Sequence, residues 1–162
     1  MQFTSYLNDN NPKLELSVKG FGTIELELFP EVAPKTVENF LNLINNNFYE
    51  NLLFHRVIKN FMIQGGWGKP LTPIVGEFKE NGIDNPLIHS RGVISMARTS
   101  DPNSASSQFF IMHKNSPHLD GAYAAFGAVT KGIEIVDLIA QVKTDYQDKP
   151  IDDIVITSFK LI

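Results

Sequence analysis

The chain has 162 residues, of which 43% are hydrophobic and 20% charged. That is enough apolar content in one domain-sized length to build a core without disulfide or metal staples, so one domain over residues 1–162 is expected. Fourteen basic residues against eighteen acidic ones give a net charge of -4, which excludes the broad positive field that holds phosphate backbones or anionic lipid; neither nucleic acid nor a membrane is an expected partner. The absence of cysteine excludes a disulfide scaffold and a thiol nucleophile. Met1 to Asn10 shows no basic stretch leading into an apolar one, and no run of eighteen apolar residues follows, so the cytoplasm is the expected location by elimination.

In chain order, Leu14, Leu16 and Val18 alternate with polar residues, as do Ile24, Leu26 and Leu28, with Lys19-Gly20-Phe21-Gly22 between them. This predicts an antiparallel hairpin with one buried face. After Pro34, the i, i+3, i+4, i+7 spacing of Val37, Phe40, Leu41 and Ile44 predicts an amphipathic helix ending near Asn45-Asn46-Asn47. Strand-like runs follow at Leu52 to Ile58, Phe61 to Gln64, Gly92 to Ala97, Ser107 to Met112 and Tyr123 to Val129, each bounded by Gly, Pro, Asn or Asp. Gly65 to Asp84, rich in Gly and Pro, predicts a long surface loop that could border a site. Ile135, Leu138, Ile139 and Val142 predict a second helix after Gly132, and Asp153 to Leu161 a closing strand. Many short antiparallel strands with two helices favour a barrel over a sandwich, because closure removes exposed sheet edges.

Eleven of the fourteen basic residues are lysine, leaving Arg56, Arg91 and Arg98. An arginine inside the strand-like run Phe54-His55-Arg56-Val57-Ile58 suggests a site that needs a planar, permanently charged fork of donors; a buried ion pair is the structural alternative. In Ser107 to Met112, alternation puts Gln108, Phe110 and Met112 on one face and Phe109 and Ile111 on the other. The same Phe and Met residues would serve equally as interior packing. His113 and His118 lack the further ligands a metal site needs. No G-x-S-x-G stretch, P-loop or G-x-G-x-x-G fingerprint occurs, which leaves serine hydrolysis and nucleotide binding without support.

Taken in order, Pro34-Lys35-Thr36-Val37-Glu38-Asn39-Phe40, the run from Phe54 to Ile58, Phe61-Met62-Ile63-Gln64-Gly65-Gly66, Ser95-Met96-Ala97, Ser107-Gln108-Phe109-Phe110-Ile111, Leu119-Asp120-Gly121 and Phe126-Gly127 resemble the motif set of the cyclophilin family. The resemblance spans the chain from about Thr23 onward. It implies a mainly β fold, a closed eight-stranded antiparallel β-barrel capped by two α-helices. It further implies a peptidyl-prolyl cis-trans isomerase that assists protein folding without metal, cofactor or covalent intermediate, acting on proline-containing peptides and flexible or unfolded segments; a monomer is the default expectation for a domain that needs no partner to complete its core.

Carried over position by position, Arg56 is the catalytic arginine, and Phe61, Met62, Phe110 and Leu119 form the proline pocket. Gln64 and Gln108 match the polar residues of the groove, and Ala97, Arg98 and Thr99 match the stretch whose backbone pairs with the peptide. His118 stands where well-known members carry tryptophan, Tyr123 where they carry histidine, and Arg98 where an asparagine is common; the cyclosporin-type ligand implied by the family is therefore expected to bind weakly. The loop Gly68 to Gly76 is shorter than in those members, and Trp67 is expected to pack down on the barrel. A strict two-residue turn at Lys59-Asn60 would pair Arg56 with Ile63 and send Gln64 to the opposite face, so the site requires a bulge or a looser turn there. Two other readings remain: a non-enzymatic module or chaperone that binds Pro segments, and a small metal-dependent hydrolase using His113 and His118.

Overall fold

A computed structural model describes residues 2–162. The N-terminal hairpin forms as its alternation predicts, with β1 (Lys13–Val18) against β2 (Gly22–Leu28) and Leu14 opposite Leu26, Leu16 opposite Ile24. Gly20, at φ 79°, supplies the left-handed residue that the tight connection needs. Helix α1 (Pro34–Asn45) buries Val37, Phe40 and Ile44, the stripe expected from its periodicity. Its N-terminal N–H groups have no cap from a neighbouring side chain in sequence; Glu77, in the long loop, reaches back instead. One carboxylate oxygen accepts from Thr36 N at 2.6 Å and Thr36 Oγ1 at 2.7 Å.

Five further strands follow, β3 (Arg56–Ile58), β4 (Met62–Gly65), β5 (Val93–Met96), β6 (Phe109–Met112) and β7 (Ala125–Lys131). Helix α2 (Ile133–Ala140) and the closing strand β8 (Ile156–Leu161) complete the chain. All pairings are antiparallel, and the sheet order is β3-β4-β6-β5-β7-β2-β1-β8. Register shifts at Ser17/Val18, Glu25/Leu26 and Ile94/Ser95 add local twist and curl the sheet. On its concave side the Phe40 ring lies 5.0–5.7 Å from those of Tyr49, Phe109, Phe126 and Phe159, so α1 plugs one opening with an aromatic core.

The sheet does not close by a ladder, which corrects the expected closed barrel: eight antiparallel strands curl into an open half-barrel. Its two end strands, β3 and β8, are not paired. The link is made instead by the segment before β3, through the bridge Leu53 to Val155, Phe54 N to Ile154 O at 3.0 Å, and Ile156 N to Leu52 O and Asn51 N to Ile156 O at 2.8 Å each. The reason is local. β3 has three residues, and the Val57 N–H on its outer edge is taken by Asp148 O at 2.8 Å, so a loop rather than a strand covers that edge.

Two further expectations are corrected. The buried face of α2 is Val136, Ile139 and Ala140, while Leu138 is 51% exposed; the helix lies turned from the face anticipated. Trp67 does not pack down and is 68% exposed. Gly66, at φ 85°, has no room for a side chain between Tyr49 and the Ser107 carbonyl, and beyond this turn the chain leaves β4 and carries the indole outward, with His55 as its ring neighbour at 5.5 Å.

Candidate active site

The β3–β4 turn places the site. Arg56 is opposite Gln64, Val57 opposite Ile63 and Ile58 opposite Met62, so the connection is the three residues Lys59, Asn60 and Phe61. Phe61 N donates to Ile58 O at 3.0 Å, and Asn60 takes φ 65°, a left-handed conformation that asparagine tolerates. This is the looser turn the sequence required, and it keeps Arg56 and Gln64 on one face.

Register then extends that face across the sheet. Gln64 lies opposite Phe110, and Phe110 opposite Ser95, so one row crosses β3, β4, β6 and β5 on the convex side. Arg56 Nη1 donates to Gln64 Oε1 at 3.2 Å, and Gln64 Nε2 donates to Gln108 Oε1 at 3.0 Å. The two amides thereby fix each other's orientation and leave the exposed guanidinium with donors to spare. Arg56 takes part in no ion pair among the described residues, so the buried ion-pair alternative does not hold.

Arg56, Phe61, Met62, Gln64, Ala97, Arg98, Phe110, Leu119 and Tyr123 line one cavity of about 120 Å³. A second, of about 270 Å³, shares Gln64, Ala97 and Arg98 and adds Thr99, Ser104, Ser106 and Gln108. His118 is exposed beside the first, its ring 5.6 Å from Phe61. All twelve residues singled out in the sequence thus fall on one groove or its rim. Met62, Phe110 and Leu119 are nonetheless 2%, 5% and 7% exposed, so interior packing and pocket lining coincide in these side chains.

Phe78, Ala122 and His89 support the site and carry no sequence signal. The Arg98 guanidinium lies 4.8 Å from the centre of the Phe78 ring and 4.6 Å from that of Tyr123, and it donates to Ala122 O through Nε at 3.1 Å and Nη2 at 2.7 Å. Behind Phe110, stacked at 6.0 Å, lies His89. Its Nδ1 is 3.0 Å from Asp120 Oδ1 and its Nε2 is 2.9 Å from Ser95 Oγ. Burial holds this imidazole below the ordinary histidine value, and Asp120 only partly opposes the shift. The arrangement looks like a Ser-His-Asp constellation, but Ser95 is fully buried and has no access to a substrate; its role is to brace the floor of the groove. Ser104 and Ser106 line the second cavity and Phe78 backs Arg98, and neither periodicity nor spacing marks them.

An eight-stranded antiparallel half-barrel, two helices and a convex groove combining one exposed arginine, two amides and several aromatic rings define a cyclophilin-like protein. The comparisons agree. The family model "Cyclophilin type peptidyl-prolyl cis-trans isomerase/CLD" matches residues 13–161. Peptidyl-prolyl cis-trans isomerase A of Dickeya dadantii is 45% identical, with 87% of this chain and 80% of that protein covered. A peptidyl-prolyl cis-trans isomerase of Streptomyces antibioticus is 42% identical, with 87% and 93% covered. The crystal structure of a cyclophilin type peptidyl-prolyl cis-trans isomerase of Cryptosporidium parvum superposes with a TM-score of 0.85 at 31% identity, covering 94% of this chain and 98% of that one. A second structure of that protein was determined in the presence of the dipeptide Ala-Pro. The chain belongs to the cyclophilin family, and it is a peptidyl-prolyl cis-trans isomerase.

Proposed function

We propose that the groove turns the X-Pro bond with Arg56 as the catalytic donor and with the proline ring held by Phe61, Met62, Phe110 and Leu119. The chemical obstacle is amide resonance, a barrier of about 18–20 kcal/mol that makes unaided rotation take roughly 10–100 s. Halfway round, the C–N bond has lost its double-bond character and the prolyl nitrogen has a lone pair. A guanidinium N–H aimed at that nitrogen stabilises the twisted state more than either planar one, which is the condition for catalysis.

One donor does not suffice. An acceleration of about 10⁵ requires roughly 7 kcal/mol, whereas a hydrogen bond to a charged group supplies about 1.5–3. The remainder is assigned to the apolar grip on the ring, to backbone pairing along Ala97, Arg98 and Thr99, and to the exclusion of water around the guanidinium. Ala97 N–H is already engaged by Gln108 O at 3.0 Å and Thr99 N–H by Ser104 Oγ at 2.9 Å, so pairing with the peptide falls to the other backbone groups of that stretch. Gln64 and Gln108 are assigned to orienting Arg56 and the peptide, and His118 and Tyr123 to bordering the ring.

The observation that carries this reading is the row of Arg56, Gln64 and Phe110 across β3, β4 and β6, which sets a charged fork one strand spacing from the amide and two from the aromatic ring. The test is NMR exchange on a short X-Pro peptide. Arg56→Ala is expected to lower turnover by about 10- to 150-fold, the equivalent of one charge-assisted hydrogen bond. Arg56→Lys, which keeps the charge and loses the planar fork, is expected to fall by at least about tenfold; near-full turnover in the lysine variant would sink the assignment. Peptide binding without rate enhancement in the parent chain would favour the non-enzymatic module instead.

The same reading takes the working unit as a monomeric domain spanning residues 1–162, acting in the cytoplasm on flexible or unfolded segments during folding. The cysteine-free composition is compatible with a reducing compartment. Binding of a cyclosporin-type ligand is proposed to be weak, since His118 offers a small, polar ring at the rim.

A further inference from the structure

The Lys59-Asn60-Phe61 turn, which sets both Arg56 and Phe61, is fastened from outside by one imidazole. Asn60 donates its backbone N–H to His113 Nδ1 at 2.9 Å, and the other ring nitrogen, Nε2, lies 3.1 Å from Asp137 Oδ1 on α2. Arg91 grips the same carboxylate through Nη1 at 2.6 Å and Nη2 at 2.8 Å, and its Nη1 also donates to His113 O at 3.0 Å. The backbone following β6 completes the attachment, with His113 N and Lys114 N donating to Phe61 O at 2.9 and 3.4 Å.

These partners define the tautomer. Nδ1 accepts a hydrogen bond and therefore carries no proton, so the proton sits on Nε2 and faces Asp137. A second proton could go only to Nδ1, where it would be set against the Asn60 N–H. We propose that His113 is a positioning residue for the isomerase reaction: as the neutral Nε2–H tautomer it holds the β3–β4 turn, and with it Phe61 and Arg56, in the geometry of the groove, and its protonation releases the turn and slows turnover. The inference rests on the roles given to Phe61 and Arg56 above.

The surroundings favour the neutral ring. His113 is buried, and burial lowers its affinity for a proton; Asp137 opposes this, while the positive charges of Lys114 and Arg91 add to it. Because Arg91 already neutralises Asp137, the carboxylate can receive the Nε2–H without forcing the ring into its charged form. The turn is thus secured while the imidazole is neutral, and released only as the pH falls below the ordinary histidine value of 6.5 and through the lowered one. Two other imidazoles held below the ordinary histidine value adjoin the groove, His55 beside Arg56 and Gln108 and His89 behind Phe110, so the test must separate their titrations from that of His113.

The experiment measures kcat/KM on a short X-Pro peptide by NMR exchange from about pH 5 to about pH 8, with the imidazole signals followed in parallel. The parent protein is expected to lose turnover on the acid side in step with the His113 signals. In His113→Asn, the side-chain Oδ1 takes the place of Nδ1 and cannot be protonated; turnover at neutral pH is expected within about threefold of the parent and the acid limb to flatten. His113→Leu removes the acceptor and is expected to lose about fivefold at neutral pH, the equivalent of one hydrogen bond. Should the leucine variant fail to fold by circular dichroism, the asparagine variant alone decides. An unchanged acid limb in His113→Asn overturns the proposal and assigns the limb to His55 or His89; so does a folded His113→Leu protein with the parent's profile. Arg56→Ala in the same assay keeps the two claims apart. Full activity there sinks the catalytic assignment, whereas an impaired Arg56→Ala beside an unchanged His113→Asn limb sinks only this inference.

Discussion

Arg98 joins two walls of the groove that are far apart in sequence. Its guanidinium is sandwiched between Phe78 from the long loop and Tyr123 from the segment before β7, and it is tied to the carbonyls of Ala122 and Thr99. Lysine would preserve the charge but lose both the stacking plane and the forked donors. Arg98→Lys is therefore expected to weaken peptide binding by about tenfold, roughly 1–2 kcal/mol, read as a rise in Kd in an NMR titration. Unaltered affinity would show that the sandwich has no part in shaping the groove. Of the side chains that face the groove, Arg56 stood out by its type in an apolar run and Gln108 and Phe110 by sharing one face of a strand, while the others were legible through the resemblance to the cyclophilin motif set. Those that hold them were not. His113 reads as an isolated histidine, and its meaning comes from Asn60, 53 positions earlier, and from Asp137 on another element.

At the scale of elements, periodicity predicted where strands and helices occur, and tertiary contacts decided their ends and orientation. Leu52 to Ile58 reads as one strand, but only Arg56–Ile58 joins the β4 ladder; Leu52 to Phe54 turn instead to the chain at Ile154 to Ile156, with Ile156 N donating to Leu52 O and Phe54 N to Ile154 O. In α2 the apolar residues permit more than one buried face, and packing against β2 and β4 selected Val136, Ile139 and Ala140. That choice leaves Asp137 free to meet Arg91 and His113. Helix α1 depends on a cap that no local pattern foretells, because Glu77 lies 41 positions beyond Thr36. Removing it strips two short hydrogen bonds and one negative charge from the helix N-terminus and leaves the Thr36 hydroxyl buried without a partner. Glu77→Ala is expected to cost about 2–4 kcal/mol in urea denaturation, and Glu77→Gln, which keeps an acceptor, about 1. Equal losses in the two variants would assign the whole effect to the charge and rule out the hydrogen bonds to Thr36 as contributors.

For the whole molecule the same logic sets the response to acid. His55, His89 and His113 are all held below the ordinary histidine value of 6.5, burial being the largest cause in each. Each binds its proton more readily unfolded than folded, so the unfolded state gains protons first as the pH drops. The stabilisation is fully present above about pH 6.5 and is lost as the pH falls through the lowered folded values. Urea midpoints are expected to be flat from about pH 8 to 7 and to decline steadily from about pH 6.5 to 5; a midpoint that held constant to pH 5 would contradict the burial of these rings. By itself, the sequence determined the β-rich class, the hairpin and both helices, because hydrophobic period and turn residues are local properties, and its resemblance to the cyclophilin motif set named the groove's side chains. The tertiary structure alone decided that the sheet stays open, that Trp67 points outward, and that Glu77 and His113 brace distant elements. Each depends on which surfaces meet in space, and a one-dimensional pattern carries no information about partners separated by forty or more residues.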